Sequence, residues 1–428
     1  MFIKSNFGRY FYTIKTQLFL YSYIVYIRNK LKTIFHTMRC SLYFFLFIGL
    51  SIQVSAQGIG SSAFSDGKKP NSIQTAMSFL LITPDAKAGA MGDAGVATTP
   101  DLYSMHWNPA KLSFLEGSSG GSLSYSPWLK NLVPDINFAY LTYFKKLADQ
   151  GVLAGSVRYF SLGDIQLTDI NQVDLGTYSP NEFAIDAAYS RKFGETFSLG
   201  TAIRYIRSSL SNGQFSASDV LRPASAFAAD VSAYGTNPTT ILGKEAQLSW
   251  GINISNIGTK VSYAQGGSKY FLPTNLRVGM SSSLEMNDFD KLTFTIDLNK
   301  LLVPTSPELD VNGQIIAGKD PNRSMVSGIF GSFSDAPGGF SEELREISYA
   351  MGAEYVFSDQ FALRTGYFYE NPTKGDRQFI TVGGGFKTQK MGIDLAYILA
   401  QQQKSPMANT LRFSLSYKFP EKYKYNFN

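Results

Sequence analysis

Apolar and polar residues alternate along most of this chain. From about residue 118 to residue 419, successive segments roughly ten residues long place apolar side chains at every second position. In one clear case, the apolar side of the segment consists of Leu248, Trp250, Ile252 and Ile254. Successive side chains of a β-strand point to opposite faces, so a period of two residues predicts strands. Each predicted strand has one apolar face and one polar face.

Fourteen such segments follow one another, and we predict strands at 118–127, 135–145, 151–162, 180–193, 196–209, 224–235, 244–258, 273–284, 289–301, 345–357, 360–370, 376–387, 390–400 and 408–419. Longer and shorter connections broadly alternate between them, although three of the longer set are no longer than the longest of the shorter set. Short turns include residues 194–195, 285–288 and 358–359. An even strand number with long loops at one end is typical of outer-membrane barrels.

The predicted fold class is therefore all-β, an antiparallel transmembrane β-barrel of about 14 strands, integral to a bacterial outer membrane and in contact with the lipid bilayer. A closed barrel is the all-β arrangement that pairs every backbone polar group inside hydrocarbon. The alternative is a secreted soluble β-sandwich, whose apolar face would be covered. The many Gly, Ala and Ser residues on the polar face favour a narrow or filled lumen instead. Beyond residue 56, no run of about eighteen apolar residues indicates a membrane helix.

Residues 57–117 lack the strand pattern. They contain the stretches 76–82, 88–97 and 105–110, in which small residues and turn formers interrupt apolar sequence. Such a segment fits a hatch or plug folded inside the barrel. We therefore expect a hatch at 57–117, the barrel at 118–419 and a C-terminal tail at 420–428.

The N-terminal 56 residues have the organisation of a targeting segment. Met38 and Arg39 begin it, residues 41–50 form an apolar core, and Val54-Ser55-Ala56 is a small-residue cleavage site. We predict a signal peptide at 38–56 within an upstream segment 1–56. Residues 1–37 then reflect either an upstream start codon or a longer targeting signal.

Removal of this segment changes the charge balance. Residues 1–56 contain seven basic residues and no acidic ones, so the net charge falls from +6 to −1. The basic character of the whole chain is therefore no evidence for a nucleic-acid partner. The only cysteine, Cys40, is removed as well, which excludes disulfides and cysteine ligands in the mature protein.

Catalytic chemistry has little support in the mature sequence. His106 is its only histidine, and a lone histidine beside Trp107 is more often structural than a general base. We predict no enzyme activity, no cofactor and no metal site. Inward-facing charges are expected to satisfy one another, with the acids Asp186, Asp297, Glu354 and Asp394 pairing with the bases Arg158, Arg204, Arg277, Arg364 and Arg412.

Two local motifs lie in the predicted hatch. Gly89, Gly92 and Gly95 have a spacing found in phosphate loops, but no preceding parallel strand and no Gly-Lys-Ser/Thr sequence accompany them. Glycine here more simply permits close packing and positive φ. Asn108 and Pro109 are typical of a turn, with a direct ligand role as the weaker alternative.

The same motifs carry a family resemblance. The run 84–97, followed by Trp107, Asn108, Pro109 and Ala110 and then a barrel, resembles the PorV family of type IX secretion. That family falls within the FadL-like fold, in which fourteen strands enclose an N-terminal hatch. Residues 107–110 match the Asn-Pro-Ala element of such hatches, and Gly89, Gly92 and Gly95 match the glycine-rich turn before it. The resemblance extends from about Asn71 to the end of the chain.

The resemblance implies a protein-binding component of secretion. Such proteins engage the type IX translocon and the C-terminal domains of cargo, and they belong with the surface sortase-type machinery that cleaves and attaches cargo. An external loop is then the expected working surface, and residues 302–344 are the best candidate. Its apolar contacts are predicted to be Ile315, Ile316, Met325, Ile329 and Phe330. The alternative is a loop that merely folds over the barrel mouth.

Two other functions remain at this stage. A FadL-like barrel is also compatible with a channel that admits hydrophobic small molecules past the hatch, and the sequence leaves open whether the lumen is open or plugged. An outer-membrane lipid-modifying enzyme is disfavoured, because no catalytic constellation is present.

Overall fold

The computed structural model describes residues 70–128, 135–147, 151–168, 171–210, 222–400, 407 and 409–420. The predicted signal segment 38–56, the first part of the predicted hatch and residues 421–428 lie outside the described residues. The boundaries assigned to these segments stay predictions.

Fourteen antiparallel strands close a barrel, which confirms the predicted fold class. Its strands are β1 (Ser119–Pro127), β2 (Ile136–Lys146), β3 (Gly151–Leu162), β6 (Asn181–Lys192), β7 (Phe197–Ser209), β8 (Ala224–Ile241), β9 (Lys244–Gly258), β10 (Asn275–Glu285), β11 (Lys291–Leu301), β14 (Ser348–Phe357), β15 (Phe361–Tyr369), β16 (Gln378–Lys387), β17 (Met391–Ala400) and β18 (Leu411–Lys418). β1 pairs with β18, with Leu123 opposite Leu415, and this pairing closes the ring. Two further hairpins lie in connections: β4 (Ile165–Thr168) with β5 (Asp174–Tyr178), and β12 (Glu308–Leu309) with β13 (Ile315–Ala317).

The apolar faces of the strands point outwards. On β9, Leu248 is 37% exposed and Ile252 is 39% exposed, whereas the alternating Ser249 and Asn253 are buried. A soluble β-sandwich would bury its apolar face instead. This burial pattern excludes the sandwich alternative and suits a barrel surrounded by hydrocarbon. Within the described ranges, no helix is long and apolar enough to span a membrane.

Long and short connections fall at opposite ends of the barrel. One end, the long-loop rim, carries connections such as 163–180, 259–274 and 302–347, while the other, the short-turn rim, carries turns such as 242–243. The shortest connections at the long-loop rim, 128–135 and 370–377, are both longer than the longest turn, 286–290. The alternation is thus more complete than the sequence pattern indicated, because β8 runs past its predicted end at the short-turn rim and several strands begin later than predicted at the long-loop rim.

Residues 70–118, hereafter the hatch, lie inside the barrel. They form a 3-10 helix at Ser78–Leu81, α1 (Ala86–Gly89), α2 (Ser104–Trp107) and a second 3-10 helix at Pro109–Phe114. Asp85 begins α1 by accepting a hydrogen bond from the amide of Ala88 at 2.8 Å. The hatch bonds to inward-facing side chains on widely separated strands, including Thr142, Ser190, Asp297, Thr381 and Ser414.

Candidate functional site

The glycine-rich turn of the hatch is packed against the barrel wall. Gly92 has φ of +68°, and a Cβ at this position would lie 2.6 Å from the amide nitrogen of Tyr367. Gly95 lies under the indole ring of Trp107, where a Cβ would overlap the ring. At Gly89, a Cβ would meet the side chain of Arg412. Close approach therefore accounts for the glycines.

The backbone amides of this turn are bonded to barrel side chains. The amide of Gly92 donates to the Thr381 hydroxyl at 2.9 Å. The amides of Gly95 and Val96 donate to Oδ2 of Asp297 at 2.7 and 2.9 Å. A phosphate-binding loop needs such amides to face its ligand. Their engagement by the wall supports the structural interpretation of the glycine triplet.

Asn108 connects two parts of the hatch to the barrel. Its side chain is fully buried. The amide nitrogen Nδ2 donates to the carbonyl oxygens of Val96 at 3.1 Å and Ala233 at 2.9 Å, while Oδ1 accepts from the amide of Ala110 at 3.0 Å. Pro109 occupies the first position of the following 3-10 helix, where proline suits the backbone. This geometry fits the turn interpretation of the Asn-Pro pair.

Titratable groups are buried in the hatch beside this motif. Asp85 accepts hydrogen bonds from Nε1 of Trp107 at 2.7 Å and from Ala88, yet burial raises the pKa of its carboxyl group to about 6. Lys111 donates to the carbonyl oxygen of Gly95 at 2.8 Å, and burial lowers the pKa of its ammonium group to about 8. The interior of the hatch thus disfavours charge on both side chains.

His106, on α2 of the hatch, is buried beside Arg158 of β3. Its Nδ1 lies 3.3 Å from Nη1 of Arg158, and its ring packs edge-on against Trp107. Burial, followed by the positive charges of Arg277, Arg158 and Arg204, holds the pKa of this imidazole well below its usual value. His106 is therefore neutral near pH 7. In the described part of the chain, no cluster of three or more His, Cys, Asp or Glu residues is arranged to hold a metal ion.

Several predicted ion pairs form inside the barrel. Arg158 pairs with Asp186 at 3.2 Å, and Arg204 bonds to the same carboxylate. Arg364 joins Glu354 at 2.6 Å and Asp394 at 2.7 Å.

Three other charged side chains do not pair as predicted. Asp297 accepts the two hatch amides, and Arg412 bonds to Asp93 of the hatch at 2.9 Å. Arg277 makes no ion pair with any described residue. The prediction was wrong for these three because it considered the barrel wall without the hatch.

The predicted interaction residues lie in two elements of the connection 302–347, hereafter the outer loop. Ile315 and Ile316 are exposed in β13. Met325, Ile329 and Phe330 belong to α3 (Met325–Gly331), in which Phe330 is 75% exposed and the other two are half-buried. Helix α4 (Phe340–Arg345) follows and leads into β14.

The base of the outer loop is fixed by a buried ion-pair cluster, hereafter the loop anchor, which sequence reasoning missed. It consists of Lys300, Lys374, Glu342, Glu343 and Glu346. The Lys300 ammonium lies 2.9 Å from Glu343 and 2.7 Å from Glu346. The Lys374 ammonium lies 2.6 Å from Glu342 and 2.9 Å from Glu346. All five residues are buried.

Two recesses lie on either side of the hatch. The larger, on the short-turn side, has a volume of about 730 Å³, and the ion pairs Lys87–Asp101 and Arg364–Asp394 contribute to its lining. The smaller, on the long-loop side, has a volume of about 70 Å³, and Arg277 is part of its lining.

The family of the chain follows from its sequence. The family described as type IX secretion system protein PorV matches residues 65–308, more than half of the 428 residues. The chain belongs to the PorV family. The matched range contains both hatch motifs, so the predicted membership is confirmed. No curated protein matches the chain.

Solved structures offer distant likenesses to this PorV-family chain. The toluene transporter TodX of Pseudomonas putida has a TM-score of 0.46 and 12% identity, covering 82% of this chain and 99% of its own. The toluene transporter TbuX of Ralstonia pickettii has a TM-score of 0.41 and 13% identity, with coverage of 78% and 96%. A Pseudomonas aeruginosa FadL homologue has a TM-score of 0.42 and 11% identity, with coverage of 82% and 100%. The fold assignment rests on the strand pairing rather than on these scores.

Proposed function

We propose that this member of the PorV family is an integral outer-membrane component of type IX secretion. It binds the translocon and the C-terminal domains of cargo, and helps deliver cargo to surface sortase-type machinery. The outer loop is the binding surface. The observation that carries this proposal is a loop fixed at its base by buried ion pairs while its apolar side chains remain exposed.

The exposed side chains suit protein recognition. Phe330 is 75% exposed and Phe340 is 76% exposed, and Val326 lies beside Phe330 on α3 and is also exposed. Exposed apolar patches mark interaction sites, and aromatic side chains are enriched among the residues that dominate binding energy. A loop already held by the loop anchor loses less conformational entropy on binding than a flexible one. The outer loop therefore presents a preorganised apolar surface.

The barrel exterior supports residence in a membrane. Ile203, Phe227 and Leu363 lie on three different strands and are each more than 60% exposed. Exposure of large apolar side chains all around a closed barrel is costly in water and favourable in lipid.

The proposal is tested by changing the exposed apolar residues without touching the loop anchor. A Val326→Ser, Phe330→Ser double variant is tagged and isolated from native outer membranes. It should bind translocon and cargo proteins about thirtyfold more weakly than the wild type and recover less of them, since loss of a dominant contact costs about 2 kcal/mol. Cargo should accumulate in the periplasm. Leu175→Ser in β5, an exposed residue at the same rim, is the matched control and should behave as wild type. Equal recovery and secretion in all three proteins would contradict the proposal.

A second candidate is a channel for hydrophobic small molecules. The recesses on both sides of the hatch favour it. Ligand pockets for apolar compounds are lined mainly by apolar side chains, however, and ion pairs such as Lys87–Asp101 contribute to the lining of the larger recess. The channel predicts that loss of the gene slows uptake of a hydrophobic compound while secretion stays normal.

A further inference from the structure

The small recess on the long-loop side of the hatch has polar walls from three strands. Its polar wall residues include Arg277 of β10, Asn299 of β11 and Ser348 of β14. Ile73 and Leu81 of the hatch contribute apolar surface. The cavity has a volume of about 70 Å³, whereas a single water needs roughly 10–15 Å³, so the recess has space for a group of a few heavy atoms.

Arg277 is a buried charge without a counterion among the described residues. It is only 6% exposed. Its Nε donates to Oδ1 of Asn299 at 3.0 Å, and its guanidinium carbon lies 4.7 Å from the centre of the Trp107 ring. The two terminal nitrogens have no acceptor within the described ranges. Arg277 itself is part of the lining of the recess.

The acidic residues around the recess already have other partners. Asp93 bonds to Arg412 at 2.9 Å, and Glu370 pairs with Arg377 at 2.8 Å. Glu346 is shared by the two lysines of the loop anchor. No lining carboxylate is therefore left for Arg277. A buried guanidinium without a counterion is unfavourable, and an anion that enters the recess would relieve that cost.

We propose that this recess is a carboxylate-binding site. The terminal nitrogens of Arg277 hold the two carboxylate oxygens as a planar fork, and the Ser348 hydroxyl is positioned at the wall as a further donor. A guanidinium matches the flat, two-oxygen shape of a carboxylate, which favours this group over a spherical anion. The ligand is the end of an acidic peptide or a free organic acid. The site is inferred from the recess alone and stands independently of the secretion role.

Trp107 provides the readout, because its ring stacks on Arg277. The chain has three tryptophans, so a Trp128→Phe, Trp250→Phe background leaves Trp107 as the only one. The purified full chain in detergent is titrated with sodium acetate in place of chloride at constant ionic strength. A saturable change in Trp107 fluorescence is expected. Arg277→Gln should abolish it, and Arg277→Lys should weaken binding by about tenfold, since lysine keeps the charge but not the fork.

Matched variants separate the site from general electrostatics. A Glu285→Gln, Lys291→Gln double variant removes an exposed ion pair between β10 and β11, away from the recess, without changing the net charge, and should titrate like its parent. A tripeptide with a free C-terminus should bind through Arg277, and its amidated form should not. Tighter binding of this tripeptide than of acetate would identify a peptide end as the ligand, and equal or weaker binding a free organic acid. The heat-dependent gel mobility of each variant reports its folding. If Arg277→Gln fails to fold, Arg277→Lys and the parent titration still decide the question.

The proposal is overturned by any of three results. These are the absence of a saturable signal with acetate and the free-acid tripeptide, an equal signal in a folded Arg277→Gln protein, and an equal response to sulfate, which would remove the preference for carboxylate.

Discussion

Replacement of Asn108 by alanine is the most informative perturbation of the hatch. The substitution removes three hydrogen bonds at once, two donated by Nδ2 to Val96 and Ala233 and one accepted by Oδ1 from Ala110. The site is fully buried, so water cannot readily replace the lost partners. The hatch should therefore detach more easily from β8 while the barrel itself stays closed.

The expected magnitude follows from the partners left behind. The Ala110 amide keeps a second acceptor, the Ser232 hydroxyl at 3.0 Å. The side-chain hydrogen bonds to the Val96 and Ala233 carbonyls are lost. Each buried polar group that is left unpaired costs about 1–3 kcal/mol. We expect a total loss of about 3 kcal/mol, which raises the population of detached hatch by about two powers of ten. Asn108→Asp should be worse near pH 7, because it points a carboxylate oxygen at those two carbonyls.

The assay is limited proteolysis of the folded barrel in detergent, with cleavage within the hatch as the readout. Asn137→Ala is the matched control, because Asn137 lies on β2 and both of its side-chain hydrogen bonds are exposed: Nδ2 donates to the carbonyl of Asp135, and Oδ1 accepts from the Tyr125 hydroxyl. It should change the free energy of opening by less than about 0.5 kcal/mol. If Asn108→Ala opened no more readily than Asn137→Ala, the assigned role of Asn108 in holding the hatch would be wrong.

Three further predictions concern other contacts of the hatch and the outer loop. Burial raises the pKa of Asp85 to about 6, above its value of 3.8 in the unfolded chain. The folded protein therefore binds a proton between pH 7 and pH 5, and urea titrations should show the wild type becoming more stable relative to Asp85→Asn as the pH falls. A difference in unfolding free energy between the two proteins that stays the same at pH 7 and pH 5 would contradict this. Lys374→Met should cost about 3–5 kcal/mol, because Glu342 loses its only cation in the loop anchor and Glu346 keeps only Lys300. Faster protease cleavage of the outer loop in an intact barrel would show this loss, while unchanged cleavage would refute it. Gly95→Leu places a side chain where the Trp107 ring lies and should cost at least about 1–3 kcal/mol, measured as loss of folded protein in membranes; wild-type yield and stability would contradict it.

The barrel was predictable because each strand separates two different environments. Lipid on one side and a polar lumen on the other impose the two-residue period, so all fourteen barrel strands were found close to their true limits. The hairpins β4–β5 and β12–β13 were missed, since loops beyond the membrane have no such requirement. Strand β8 also runs on to Ile241, past the predicted end at residue 235.

Charged contacts were predictable only where strand register brings partners together. Glu354 lies opposite Arg364 on neighbouring strands, and Asp186 lies opposite Arg204. The pair Arg412–Asp93 joins the last barrel strand to the hatch, and no local pattern in the sequence indicates it. For the same reason, the sequence pattern did not indicate the loop anchor. It also predicted an ion-pair partner for Arg277, which the structure does not show among the described residues.

The most direct test of the secretion role is the location of cargo in a strain that lacks the gene. Cargo with type IX C-terminal domains should accumulate in the periplasm. The wild-type chain should restore its secretion, and the Val326→Ser, Phe330→Ser variant should insert normally yet fail to restore it. Normal secretion without the gene, together with slower uptake of a hydrophobic compound, would contradict the secretion role and favour the channel.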